Sequence, residues 1–422
     1  MYQEIIRPNG ARLLLEEVPG ARSAALGFYV GAGSRHESAA DNGSAHFIEH
    51  MLFKGTHRRS AADLAVDMDA IGGQVNAYTT KENTSFYARS LDRHLDRALD
   101  ILSDMLFCSK FDQSDVETER GVILEEIGMY EDTPEDLVAE RLSAAVYKGT
   151  ALARPILGTE ATLSAMTGDS LRRWQKEHYL AGNMVAALAG SFTGAQVDKI
   201  LALLDTLEPG TIEQTPGRYK AAVTARRKNM EQNHLILAFP AMNYLDSRRY
   251  QLLLLNSLLG GGCSSRLFQE VREKRGLCYS VYSYVADHED VGLQGIYTAV
   301  NPEQEGQALE IIRAIIEDLA EHGPTQEELD RVREQATAGL LLGSESIQSR
   351  MSHLGNAALL YGKVRTVDEI IECYNAVTRE QLQTLAAEMF AWNNSSLSAV
   401  GKVKTIADYT RWLGPTHWPC LL

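Results

Sequence analysis

Two short apolar runs near the start, Ala11–Val18 (ARLLLEEV) and Ala24–Gly33 (AALGFYVGAG), carry the pattern of half-buried β-strands. From about Ser44 the apolar positions recur at helical spacing. The stretch Gly72–Leu91 (GGQVNAYTTKENTSFYARSL) predicts a hairpin, with two β-rich runs around the polar TTKEN. Residues 94–107 and 115–131 read as long helices, and Met184–Gly190 (MVAALAG) as another strand. This mixture predicts an α+β domain.

Between about 205 and 228 the periodicity lapses into LEPGTIEQTPGRYKAAVTARRKN, which contains two Pro-Gly pairs and a basic cluster. After it the pattern restarts. His234–Ala241 (HLILAFPA) resembles a strand, Arg248–Gly261 (RRYQLLLLNSLLGG) a helix, and Gly276–Val285 (GLCYSVYSYV) a strand. Asp67–Thr79 (DMDAIGGQVNAYT) and Val271–Ser283 (VREKRGLCYSVYS) each run from a helix through glycine into a β-rich segment, as duplicated halves would. The expected organisation is one domain over 1–212, a linker over 213–228 and a second, similar domain over 229–422.

A chain of 422 residues with 45% apolar content can bury the cores of two domains. Its formal net charge of -15 argues against a nucleic-acid or anionic-membrane surface as the main partner. The opening MYQEIIRPNG lacks a signal-like pattern, and no run approaches the apolar length of a membrane span. Cys108, Cys263, Cys278, Cys373 and Cys420 are scattered without CxxC spacing, so neither a disulfide framework nor a cysteine zinc site is indicated. A cytoplasmic protein is expected.

The chemistry concentrates in Ser44–Thr56 (SAHFIEHMLFKGT). On a helix capped at or just before Ser44, His46, Glu49 and His50 share one face, while Phe47, Ile48, Met51 and Leu52 form the opposite, apolar one. Two imidazoles at i and i+4 can reach one zinc ion, and the glutamate a turn away can act as general base on a water. A catalytic zinc needs a third protein ligand. Ser114–Asp132 (SDVETERGVILEEIGMYED) offers two candidates, because Glu119 and Glu126 fall in the stripe formed by Val116, Val122, Ile123, Ile127 and Tyr130, whereas Glu117 and Glu125 point away. Carboxylates among aliphatic side chains need a cation or hydrogen-bond partners.

With HFIEH read as H-x-x-E-H and followed by ERGVILEEI, the chain resembles the pitrilysin/insulysin (inverzincin) family of zinc metallopeptidases. Within it, the chain is most similar to mitochondrial processing peptidase subunits and their bacterial relatives. GSRHE, GGQVNAYTTKENT, MYEDTPEDL and GGGCSSRLFQEVREKRGLCYSVYS carry the similarity through both halves. The resemblance implies two similar domains, each a mostly antiparallel sheet packed against helices. It makes His46, His50 and Glu126 the ligands of one zinc ion per chain, Glu49 the base and Glu119 a supporting carboxylate. Asn76 and Ala77 match an edge strand that pairs with substrate main chain, Arg272 and Tyr279 a pair that contacts substrate near the scissile bond, and Gly260, Gly261 and Gly262 a substrate-handling loop. The activity implied is endopeptidase cleavage of peptides or unfolded segments inside a closed chamber, with a homodimer as the simplest assembly. The alternatives are a non-catalytic core subunit of the same fold, the catalytic subunit of a heterodimeric processing peptidase, and a hydrolase acting on a different bond.

Overall fold

The computed structural model describes residues 2–414, so Cys420 lies outside the described residues. Two sheets organise it. In the first, β1 (Gln3–Ile6), β2 (Arg12–Glu17), β3 (Ser23–Val30), β4 (Gln74–Thr79), β5 (Thr84–Leu91) and β6 (Met184–Gly190) lie in the order β1-β2-β6-β3-β5-β4. In the second, β7 (Val223–Arg227), β8 (Asn233–Ala241), β9 (Cys278–Asp287), β10 (Gly292–Val300) and β11 (Ser396–Gly401) lie in the order β7-β11-β8-β10-β9.

Without β1, the two orders superpose strand for strand. The parallel pair β2/β6 answers to β7/β11, and every other pairing in both sheets is antiparallel. The edge strand β4 answers to the edge strand β9, which is the correspondence expected from Asp67–Thr79 and Val271–Ser283. The chain is therefore an α+β duplication of mostly antiparallel sheets packed with helices.

The compact units do not follow two consecutive stretches of chain. The first comprises 1–128, 154–215 and 340–367, and the second 129–153, 216–339 and 368–422. The segment 213–228 contains β7, a strand of the second sheet.

This division corrects the reading of β3 as half-buried. Ala24, Leu26, Phe28 and Val30 enter one core with Phe47 and Ile48, while Ala25 and Tyr29, on the opposite face, pack with Met351, Leu354 and Ala358. The helix Ile347–Tyr361, distant in sequence, covers the face expected to be wet. In the second unit, Leu137, Val138 and Leu142 of the helix Pro134–Val146 likewise pack with Ile236, Ala238 and Val400 of the second sheet. Among the described residues, no helix is long and apolar enough to cross a membrane, and Cys108, Cys263, Cys278 and Cys373 form no disulfide.

Candidate metal centre

Helix α1 (Ser44–Met51) starts at Gly43, whose φ of 101° suits glycine. Ala45, Phe47, Ile48, Met51 and Leu52 are sunk in the first core, which fixes the helix about its axis and turns His46, Glu49 and His50 to the other side. Helix α2 (Ala61–Ala70) and helix α3 (Leu95–Cys108) follow, and helix α4 (Gln113–Asp132) brings in the carboxylates. Val116 and Ile123 are buried, as is Glu119, while Glu117 and Glu125 face solvent. Val122 and Tyr130 depart from the expected stripe and are exposed, at 47% and 39%. Val122 lies on the stripe's edge, and at Tyr130 the helix has run past the core that covers its earlier turns.

The Nε2 atoms of His46 and His50 each lie 3.6 Å from Glu126 Oε2, and one ligand atom from each of the three residues lies within 4.8 Å of the others. At 3.6 Å these are not hydrogen bonds. A tetrahedral zinc with bonds of about 2.0–2.1 Å spaces its ligand atoms by about 3.3–3.4 Å, close to what is found. The electrostatics fit as well. Burial, with His50 beside it, pulls His46 down to about 3, so its imidazole stays neutral as a ligand must. Burial pushes Glu126 up, with the nearby His50 countering it, and among the described residues Glu126 has no lysine or arginine ion pair. Two imidazoles and a carboxylate converging in this way suit a cation.

Glu119 Oε2 lies 3.0 Å from His50 Nδ1, and its Oε1 lies 2.6 Å from Lys54 Nζ. A proton on Nδ1 donated to this carboxylate leaves the Nε2 lone pair of His50 free to bind a metal. Glu119 thus touches His50 and not the point where His46, His50 and Glu126 converge. Lys54 was not singled out in the sequence; it lies just beyond the end of α1 at Met51, where the chain turns back toward α4. Glu49 accepts a hydrogen bond of 2.5 Å from Thr79 Oγ1, at the end of β4. Thr79 carries no helical signal that would have marked it. Burial pushes the Glu49 carboxyl up, with Thr79 countering, which makes it a stronger base.

Asn76 and Ala77 lie on β4, which among the described residues pairs only with β5, at the edge of the sheet. Asn76 Oδ1 accepts from Ala77 N at 2.9 Å. In the second unit, Gly260, Gly261, Gly262, Arg272 and Tyr279 line a pocket of about 270 Å³. The Arg272 guanidinium stands 4.6 Å from the Phe268 ring centroid and 4.8 Å from that of Tyr279, which is 75% exposed. The two groups of expected site residues therefore belong to different units. The helix Arg249–Gly260, α1's counterpart between β8 and β9, reads RYQLLLLNSLLG and carries neither histidine nor glutamate.

The glycines divide by packing. A Cβ on Gly260 would lie 2.3 Å from Ser283 N, and one on Gly261 would lie 2.6 Å from Ser257 Cα, whereas one on Gly262 meets nothing within 4 Å. Gly260→Ala is expected to destabilise the protein by about 1–3 kcal/mol through overpacking, and Gly262→Ala to leave the melting temperature unchanged. Thermal unfolding of the two variants checks this, and an equal loss would show that the space around Gly262 is not free.

Comparison with known proteins identifies the family. Residues 12–160 match the family model described as insulinase (peptidase family M16), and residues 165–336 match the peptidase M16 inactive domain. The chain is 44% identical over 385 residues to the uncharacterized zinc protease YmxG of Bacillus subtilis, covering 90% of this chain and 94% of that one. It is 40% identical over 409 residues to an uncharacterized zinc protease of Streptomyces coelicolor, covering 94% and 89%. A peptidase M16 inactive domain from Pseudomonas fluorescens shares the fold with a TM-score of 0.89 at 23% identity, over 96% of this chain and 98% of that one. A chain of Complex III2 from Candida albicans shares it at 0.83 and 18% identity, over 97% and 98%. On the strength of the matched domains and the zinc protease relatives, the chain belongs to peptidase family M16.

Proposed function

We propose that the protein is a zinc-dependent metalloendopeptidase that cleaves peptides or unfolded polypeptide segments, binding one zinc ion per chain at His46, His50 and Glu126. The observation that carries this reading is the convergence of those three side chains, with Glu49 on the same face of α1. When bound, zinc supplies Lewis acidity to the scissile carbonyl and to the attacking water. Glu49 takes the water's proton and delivers it to the leaving amine nitrogen. Glu119, braced by Lys54, holds His50 in the tautomer that presents Nε2. Main chain at Asn76 and Ala77, on the edge of the sheet, pairs with an extended substrate, which selects for segments lacking structure of their own. Arg272 and Tyr279 contact the substrate near the scissile bond, and Tyr279 donates to the oxyanion. Gly260, Gly261 and Gly262 form a loop that handles substrate. The working form is a cytoplasmic homodimer enclosing a chamber.

A non-catalytic core subunit is the second reading, because the fold is shared with a chain of Complex III2 and a fold does not determine an activity. The complete His46, Glu49, His50, Glu119 and Glu126 set favours the peptidase. Incubation with a panel of unstructured peptides, followed by mass-spectrometric mapping, separates the two. Cuts that disappear with a chelator and return with zinc are expected; no cleavage supports the core-subunit reading, and cleavage indifferent to chelation removes the metal mechanism.

A further inference from the structure

Glu37 lies outside the metal cluster and is 4% exposed. Its Oε2 accepts from Asn42 Nδ2 at 2.9 Å and from Gly43 N at 2.8 Å, and its Oε1 accepts from Ala45 N at 2.8 Å. These donors bracket the start of α1, the helix that carries His46, Glu49 and His50. Gly43, the residue capping that helix, has no side chain with which to cap it. A carboxylate from the preceding loop takes that place, satisfying an amide in the first turn with negative charge at the positive end of the helix dipole.

The same junction is held from its other side. Asn42 Nδ2 also donates to Pro155 O at 2.8 Å, and Arg154 donates to the main-chain oxygen of Glu37. A Cβ on Gly43 would lie 2.9 Å from Gly158 Cα, and one on Gly158 would lie 2.6 Å from Asn42 O. The entry to α1 is thus wedged between the 155–158 loop and the Glu37 carboxylate. Turning or sliding this helix would carry both imidazoles and Glu49 away from Glu126, because all three ride on it.

We propose that Glu37 is a positioning residue for the metal centre, setting the seat of α1 and with it the distance from His46 and His50 to Glu126. The inference rests on the reading of His46, His50 and Glu126 as zinc ligands. Burial pushes the Glu37 carboxyl up to about 7, but the bonds from Ala45, Asn42 and Gly43 favour its charged form; all three need an acceptor, and the two oxygens of a carboxylate provide only acceptors. Glutamine has the same shape but one NH2 group. With its oxygen toward Asn42 and Gly43, its NH2 faces the Ala45 N–H; turned round, the NH2 faces two donors. Either way a donor opposes a donor beside His46, and buried groups cannot turn to water for relief.

Zinc affinity, measured by competition with a chromophoric chelator, tests this alongside circular dichroism and thermal unfolding of the zinc-free protein. Glu37→Gln is expected to stay folded and bind zinc at least about tenfold more weakly than wild type, the loss set by one opposed buried hydrogen bond. On a cleaved peptide, kcat should fall while KM holds, because β4 is untouched. Zinc affinity equal to wild type would overturn the proposal, even with a lowered melting temperature, since Glu37 would then support the fold and not the centre. Should Glu37→Gln fail to fold, Asn42→Ala, which removes one of the three donors, should weaken zinc binding by a smaller factor, and unchanged affinity in that variant would overturn it. A wild type that binds no zinc, matching His46→Ala, would instead bring down the ligand reading and this inference with it.

Discussion

Glu49→Gln is expected to lower turnover by about 10²–10⁴-fold while the purified protein retains about one zinc per chain, as removal of a general base does. Glutamine keeps the size of the side chain and can still accept the Thr79 hydroxyl, which lies 2.5 Å from Glu49 Oε2. The first unit's packing is therefore preserved. What is lost is a carboxylate whose basicity burial raises and whose oxygens are not among the three converging ligand atoms. Activity on an unstructured peptide and metal content after gel filtration are the two readouts. Zinc lost in step with activity would mean that Glu49 is a ligand and that the division of labour along α1 is wrongly drawn.

The parts of this site written locally were legible in the sequence. Helical phase alone set His46, Glu49 and His50 apart from Phe47, Ile48, Met51 and Leu52, and it turned Glu125 away from the side of α4 that carries Glu119 and Glu126. The duplicated run from helix through glycine to strand marked β4 and β9 as counterparts before any pairing was known. The missed features depend on the path of the chain in space. The strand β3 reads as half-buried because its second cover, Ile347–Tyr361, is far along the chain. The helix Pro134–Val146 follows α4 directly, yet it belongs with the second sheet, and contiguity in sequence carries no sign of that. Glu37 enters the sequence only as the last residue of GSRHE, and its role shows only where the start of α1 folds over it. Lys54 follows the end of α1, and only its contact with Glu119 gives that position a meaning.

The other large effect expected is on metal retention, and it separates two glutamates that are neighbours in sequence. Glu126→Gln should weaken zinc binding by more than about 100-fold, beyond the 10- to 100-fold typical of changes outside the ligand shell, because it removes a charged donor from the convergence point. Glu125→Gln, on the exposed face of α4, should keep its zinc and most of its activity. Both substitutions remove one negative charge from the same turn of one helix, so any long-range electrostatic effect on the cation is nearly shared. The difference between them isolates direct contact. Glu126 Oε2 stands 3.6 Å from both imidazole Nε2 atoms, a spacing that an ion can bridge. Competition titration with a chelator of known affinity gives both constants, and equal losses in the two variants would show that Glu126 does not face the imidazoles from α4 and that the third ligand lies elsewhere.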